Sequence, residues 1–201
     1  MKHYLSAIAL LSALSCNNSN SNTNGSTDSV QAAKDSNQAK MDSFKTTADT
    51  SKIAASVSDA DAKFAVEAAN AGMMEVELGK VAEQNSSSTD VKDFGAMMAR
   101  DHTKAGDQLK TIAMTKHITL PMGVSKDDQS KMGELKKKKG HDFDKAYMGM
   151  MVSGHKKVAA MFEDEIKKGS DTDIRDFATH TLDAIYTHLN SAKNIEAMVK
   201  K

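Results

Sequence analysis

The sequence predicts an all-α fold, and three features of its composition and patterning support this. The chain of 201 residues has one proline and no tryptophan, and it is rich in alanine, lysine, methionine and glutamate, which favour helices. Beyond residue 57 the apolar residues recur with helical spacing, and alternating β-branched runs are scarce. The 27 basic and 27 acidic residues balance, so no basic surface indicates a nucleic-acid partner.

The first 16 residues, MKHYLSAIALLSALSC, have the pattern of a bacterial export signal. Lys2 precedes an apolar run that is too short to span a bilayer, and the run ends in small residues before Cys16. We expect a lipoprotein signal peptide over residues 1–15, lipidation of Cys16, and attachment to a membrane through that lipid. The expected location is the outer membrane, facing the periplasm. As the only cysteine, Cys16 also excludes an internal disulfide.

Residues 16–56 are predicted to be the lipidated cysteine followed by a low-complexity linker. Serine, asparagine and threonine dominate this stretch, and its apolar residues are few and scattered. Such a segment buries too little apolar surface to offset its ordering entropy. The sequence therefore predicts a disordered tether ahead of a folded domain over residues 57–201.

Four long helices are expected in that domain, over about residues 59–84, 89–116, 142–168 and 172–199. Ser58 and Asp61 form a capping box for the first helix, and Gly169 ends the third. The connector between the second and third helices contains Pro121 and a short helix near residues 127–138. Its 24 residues, 117–140, can run the full length of a helix, which predicts a long crossover.

The chain also repeats itself. TDVKDFG at residues 89–95 returns as TDIRDFA at 172–178, and MMEVELGKVAE at 73–83 resembles MMVSGHKKVAA at 150–160. The two offsets are similar, which indicates a duplicated helical hairpin. Chance similarity between helices of biased composition is the alternative. Two such hairpins bury their apolar stripes most economically as a four-helix bundle.

Four polar residues occupy inward positions of the helical stripes: Glu75, His102, His155 and His188. Each lies near the middle of its helix, so the four side chains are expected at one level of the bundle. One carboxylate and three imidazoles would suit a divalent ion such as iron, manganese or zinc. A buried hydrogen-bond network without metal is the alternative, and scattered surface placement is a third. Because no Glu-x-x-His pair is present, a dinuclear oxidase site is disfavoured.

Four further residues are expected beside the proposed metal ligands. The pattern aromatic-x-x-Met-Met-x-x-x-His occurs twice and places Met98 and Met151 one turn before His102 and His155. Thioether ligands would suit Cu(I), although methionine as an adaptable core residue is the simpler interpretation. Asp101 and Tyr147 complete the possible supporting set.

The segments MMEVELGKVAEQNSSSTDVKDFGAMMARDHTKA, FDKAYMGMMVSGHKKVAAMFEDE and TLDAIYTHL together resemble the bacterial envelope family catalogued as domain of unknown function 4142. The resemblance covers about residues 60–198. It implies a ferritin-like helical bundle in the cell envelope with no settled activity. It also implies that the family's recurring polar positions are Glu75, Asp101, His102, Tyr147, Met151, His155 and His188.

Two functions therefore remain open from the sequence. One is an envelope lipoprotein that binds a divalent metal ion in its bundle and acts in metal handling or stress protection. The other is a non-catalytic structural or interaction module with a buried polar network. No nucleophile motif or phosphate-binding loop is present, so an enzyme is disfavoured, and no feature identifies a protein partner.

Overall fold

The computed structural model describes residues 28–46 and 57–201, and all regular secondary structure in these ranges is helical. The described ranges contain six helices, namely α1 (Ser29–Thr46), α2 (Asp59–Asn85), α3 (Thr89–Thr115), α4 (Lys126–Lys136), α5 (Gly140–Lys168) and α6 (Thr172–Val199). The all-α prediction is confirmed. The expected export signal and Cys16 lie outside the described residues. None of the described helices has the length and hydropathy needed to cross a membrane.

The four long helices begin and end within two residues of the predicted bounds, because local signals fix their ends. The Ser58 hydroxyl accepts a hydrogen bond from the Asp61 amide, as the capping box predicts. The Ser88 hydroxyl caps α3, and the Asp171 carboxylate caps α6 by accepting hydrogen bonds from two backbone amides.

The long helices pack in two pairs whose apolar stripes face each other. Helix α2 packs along α3 and α5 along α6, while α2 also contacts α5 and α3 contacts α6. The buried side chains form two clusters along the helices. The first includes Leu78, Val91, Phe94, Met98, Phe143 and Leu189, and the second includes Phe64, Leu109, Phe162, Ile174, Phe177 and Ile185.

Contacts at the helix ends fix the helix directions. Asn85, at the end of α2, donates hydrogen bonds to the carbonyls of Lys136 and Lys138, just before α5, so α2 and α5 are antiparallel. Ser87, just before α3, donates to Asp144 in the first turn of α5. Helices α3 and α5 therefore start at the same end and run parallel, and the connector between them returns along the length of the helices.

Helices α2 and α3 touch through two glycines. A Cβ atom added at Gly79 would lie 2.4 Å from the Gly95 carbonyl oxygen, and one added at Gly95 would lie 2.7 Å from the Gly79 carbonyl oxygen. Both distances are below van der Waals contact, so neither position accepts a side chain without separating the helices. These two residues hold α2 and α3 closer together than any larger residue would permit.

The linker prediction was wrong over residues 29–46, which form helix α1. The Asp28 carboxylate caps this helix, and Val30 and Ala33 pack against Val66 of α2. Asn37 exchanges two hydrogen bonds with the Thr119 backbone, at 2.9 and 2.7 Å. The composition of the segment is polar, but a short apolar stripe and these backbone contacts hold the helix against the domain.

Two buried carboxyl groups meet where α5 turns into α6. Asp61 accepts hydrogen bonds from the Ser170 amide and the Asp171 amide. Burial raises the pKa of Asp61, but its hydrogen bonds outweigh burial and hold the pKa below its ordinary value. Glu165 is also buried, and burial, reinforced by the charges of Asp61, Asp164 and Asp171, raises its pKa to about 7.

We expect Gly79→Ala to lower the free energy of unfolding by about 1–3 kcal/mol, since the added methyl group forces the helices apart. Gly106→Ala is the matched control, because a Cβ atom there meets nothing within 4 Å. It should be neutral or stabilise by up to about 1 kcal/mol through lower backbone entropy of the unfolded chain. Urea unfolding measures both, and equal stabilities would contradict the close contact.

We expect Glu165→Gln to change how stability depends on pH. In the folded protein the pKa of Glu165 lies above its ordinary value of 4.5. The contribution of Glu165 to the free energy of unfolding is therefore complete below pH 4.5, and it is lost as the pH rises through about 7. The variant should match the wild type near pH 4.5 and exceed it at pH 8 by about 1–2 kcal/mol. Thermal unfolding across this range measures the difference, and parallel pH profiles would count against it.

Candidate metal centre

Four polar side chains meet inside the helical domain, one from each long helix. Their exposed fractions are 5% for Glu75, 8% for His102, 0% for His155 and 3% for His188. In each helix the polar residue falls between members of the two apolar clusters, so its helix turns it toward the core. The structure thus brings together all four residues that the sequence singled out.

The three histidines form a compact triangle. Their ring centroids lie 5.3 to 5.8 Å apart, and each ring can offer one nitrogen so that the three nitrogens lie within 4.8 Å of one another. An ion at the centre of such a triangle would be at most about 2.8 Å from each nitrogen, against about 2.0–2.1 Å for zinc–nitrogen bonds. Inward movements of less than about 1 Å would therefore complete the coordination.

Hydrogen bonds fix the free nitrogen on two of the rings. His155 Nδ1 lies 3.0 Å from the Met151 carbonyl oxygen, which only accepts, so Nδ1 carries the hydrogen and Nε2 keeps its lone pair. His188 Nε2 lies 3.0 Å from Asp101 Oδ2 and likewise donates, which leaves Nδ1 free. The remaining nitrogens, together with His102 Nε2, are buried without a hydrogen-bond partner.

The Glu75 carboxyl group bridges two of the histidines. Its Oε2 lies 3.2 Å from His102 Nε2, and its Oε1 lies 3.4 Å from His155 Nδ1. The Glu75 Oε2 and His102 Nε2 atoms nevertheless lack the geometry of a hydrogen bond with each other or with any other group in the described residues. Glu75 is thus placed beside the histidine triangle with one oxygen still available.

The dry surroundings favour the uncharged forms of the histidines. Burial, with the neighbouring histidines, lowers the pKa of His102 to about 3 and that of His155 to about 4. Burial also lowers the pKa of His188, although the hydrogen bond with Asp101 opposes this. Burial raises the pKa of Glu75 to about 8. Neutral imidazole is the form that binds metal ions.

The sequence predicted four residues beside the proposed ligands, and they differ in how they contact the histidines. Asp101 is half-buried and orients His188. Burial raises the pKa of Asp101, but the hydrogen bonds from His188 and Arg100 outweigh burial and hold the pKa below its ordinary value. Met151 contributes its backbone carbonyl to His155, while its side chain and that of Met98 lie in the core. Tyr147 is buried with an unpartnered hydroxyl, and burial, together with the Glu75 charge, raises its pKa.

The donor set fits a divalent transition-metal ion. Metal-binding histidines generally donate their second ring hydrogen to a carboxylate or a backbone carbonyl, which fixes the ring and its tautomer. Here Asp101 does this for His188, and the Met151 carbonyl does it for His155. Three buried imidazole nitrogens without partners, beside one carboxyl oxygen without a partner, are the groups that such an ion would satisfy.

Two glycines that position this centre were not predicted from the sequence. Glu75 lies one helical turn before Gly79, and His102 lies two turns after Gly95. The glycine contact therefore sets the spacing of α2 and α3 beside both residues. No signal in the sequence separates these two glycines from Gly72, Gly106 and Gly154, which also lie within helices but have free space around them.

The family model described as Domain of unknown function (DUF4142) matches residues 46–195. The match spans most of the chain and every residue of the candidate centre, so the chain belongs to this family. The resemblance found in the sequence is thereby confirmed. No curated protein and no solved structure matches the chain.

We expect Asp101→Ala to release the His188 ring, since Asp101 alone accepts its Nε2 hydrogen in the described residues. Long-range nitrogen–proton NMR should show the wild-type His188 protonated at Nε2, and a tautomer mixture in the variant. His155 should stay protonated at Nδ1, because its partner is a backbone carbonyl. The loss of stability should be about 1–2 kcal/mol.

Arg100→Ala is the control for this experiment. It removes the other partner of Asp101, at 2.9 Å, and leaves the bond to His188 in place. The His188 spectrum should not change. A wild-type His188 protonated at Nδ1 would contradict the assigned tautomer.

Proposed function

We propose that this protein binds one divalent transition-metal ion through His102, His155 and His188, with Glu75 as the additional oxygen ligand. The observation that supports it best is the meeting of three uncharged imidazoles from three helices, with one unpartnered nitrogen on each ring. A buried acceptor without a partner costs free energy. An ion bound at this position would remove that cost for three rings at once.

The ligand types favour zinc or ferrous iron. Imidazole is a good ligand for zinc, iron and copper, whereas manganese prefers sites dominated by oxygen. Thioether ligation of copper has less support, because Met98 and Met151 lie in the apolar core and Met151 uses its carbonyl on His155. The centre has no cysteine, so a thiolate zinc site does not apply.

The wider setting of this function is the cell envelope. The export pattern and Cys16 support a lipid-anchored protein of the outer membrane, facing the periplasm. The crossover that makes α3 and α5 parallel supports a ferritin-like bundle. In that setting the protein acts in metal handling, or in protection against stress caused by free metal ions.

A structural role for the polar cluster is the second candidate. This role is supported by the charge of the cluster, which is close to neutral without an ion. The histidines are uncharged, and the raised pKa of Glu75 favours its protonated form. A buried polar group can specify which helices meet and in which register. The module would then serve the envelope through interactions rather than through metal.

We expect the full-length protein to retain about one equivalent of zinc or iron after gel filtration, as measured by elemental analysis. His155→Ala should retain less than one tenth of an equivalent, because it removes one of the three imidazole ligands. His180→Ala is the matched control, since His180 makes the same bond to the carbonyl four residues earlier but is exposed. The control should retain the full equivalent.

Two results would contradict metal binding. One is a wild-type protein with less than one tenth of an equivalent after addition of zinc, iron, manganese and copper. The other is equal retention by wild type and His155→Ala. A folded, metal-free wild type would support the structural role instead.

A further inference from the structure

An apolar cavity of about 770 Å³ opens between α2 and α3 and reaches the candidate metal centre from one side. Its volume lies within the range of about 300–1,000 Å³ that small-molecule sites occupy. The connector after α3 contributes Ile118, Leu120 and Pro121 to the lining. The inner wall is formed by Leu109, Val158, Phe162, Phe177 and Ile185.

Two buried polar atoms belong to residues that line this cavity. Glu75 and His102 line the cavity, whereas His155 and His188 do not. Glu75 Oε2 and His102 Nε2 lie 3.2 Å apart, both are buried, and both lack a hydrogen-bond partner. Neither atom is exposed to solvent, so a rotation of these side chains toward the cavity would let a polar group there bond to both atoms and offset the cost of burying them unpaired.

The cavity also has exposed apolar side chains. Met114 and Met122 line it with exposed fractions of 70% and 96%, although large apolar side chains are otherwise mostly buried in the described residues. Methionine adapts its shape to varied apolar ligands. Exposed methionines that line a cavity therefore favour the entry of an apolar chain.

The charges around the cavity cancel. Lys80 and Lys110 on its wall are matched by Glu77 and Asp107. All four residues are exposed, so their fields are weakened by water. The wall therefore does not select an ionised ligand.

We propose that this cavity binds an uncharged single-chain amphiphile, with its hydroxyl group at Glu75 and His102 and its alkyl chain along the apolar wall. A hydroxyl group can donate one hydrogen bond and accept another, which suits the two unpartnered atoms. Apolar cavities of this kind take up apolar molecules because water inside them finds few partners. Binding is expected in the metal-free protein, so it is tested separately from the metal function.

The experiment uses full-length, EDTA-treated protein with ¹³C-methyl methionine, titrated with 1-hexanol and 1-octanol. The methyl signals of Met73, Met114 and Met122, which line the cavity, should shift on binding. Affinity should rise about fourfold for each added methylene, or roughly 15-fold between the two alcohols. Octanoate and octylamine should bind at least tenfold more weakly than 1-octanol.

Three glycine variants locate the site. Gly72 and Gly106 line the cavity with free space around them, so Gly72→Leu and Gly106→Leu should fill it and weaken binding at least tenfold. Gly154→Leu is the control, since Gly154 also has free space but lies outside the cavity. It should bind 1-octanol like the wild type. Thermal unfolding identifies which variants are folded, and each cavity variant tests the site independently.

Specific results would overturn this assignment. Octanoate binding as tightly as 1-octanol would exclude selection of an uncharged head group. Affinity that does not depend on chain length would exclude the apolar wall as the binding surface. Unchanged binding in folded Gly72→Leu or Gly106→Leu would place the alcohol elsewhere. One equivalent of zinc should weaken the binding of 1-octanol, because the ion would occupy Glu75 and His102.

Discussion

Because Gly79 and Gly95 have no side chains, α2 and α3 can approach until the backbone of one helix touches that of the other. The rest of the centre depends on this contact. It fixes the spacing of the two helices one turn from Glu75 and two turns from His102, and it keeps their polar atoms 3.2 Å apart. Farther along the same pair, where Gly72 and Gly106 meet nothing, the helices leave room for the cavity. The close glycine contact thus positions the candidate metal centre, and the wider spacing of the helices beyond it leaves room for the cavity.

The centre combines dryness with fixed orientation. Burial keeps the imidazoles uncharged, while Asp101 and the Met151 carbonyl decide which nitrogen of His188 and His155 keeps its lone pair. Burial and orientation have different sources. Burial comes from the apolar clusters on both sides along the helices, whereas each ring is oriented by a single partner. The rings are therefore already oriented in the absence of an ion, which would lower the ordering cost of binding one.

Much of this architecture could be predicted from the sequence because strong local signals agree with one another. Ser58, Ser88 and Asp171 mark helix starts, and the apolar stripes place Glu75 and the three histidines inward at one level. Helix α1 was missed because composition describes the average of a segment, whereas Asn37 is held by a contact with Thr119 far along the chain. The Asp101–His188 bond is equally non-local. The cavity could not be predicted, because it depends on how closely the helices pack rather than on which residues face inward.

The way in which α1 lies on the connector has a mechanical consequence. Along α1, Ser29, Asn37 and Lys40 bond in turn to the backbone near Met122, Thr119 and His117, so helix and connector run in opposite directions. A pull on the chain at residue 28, directed along the helix axis, would shear all of these bonds together instead of peeling them one after another. The hydrogen bonds between α1 and the connector would therefore share the tension. They would pass it to Leu120 and Pro121, beside the cavity between α2 and α3.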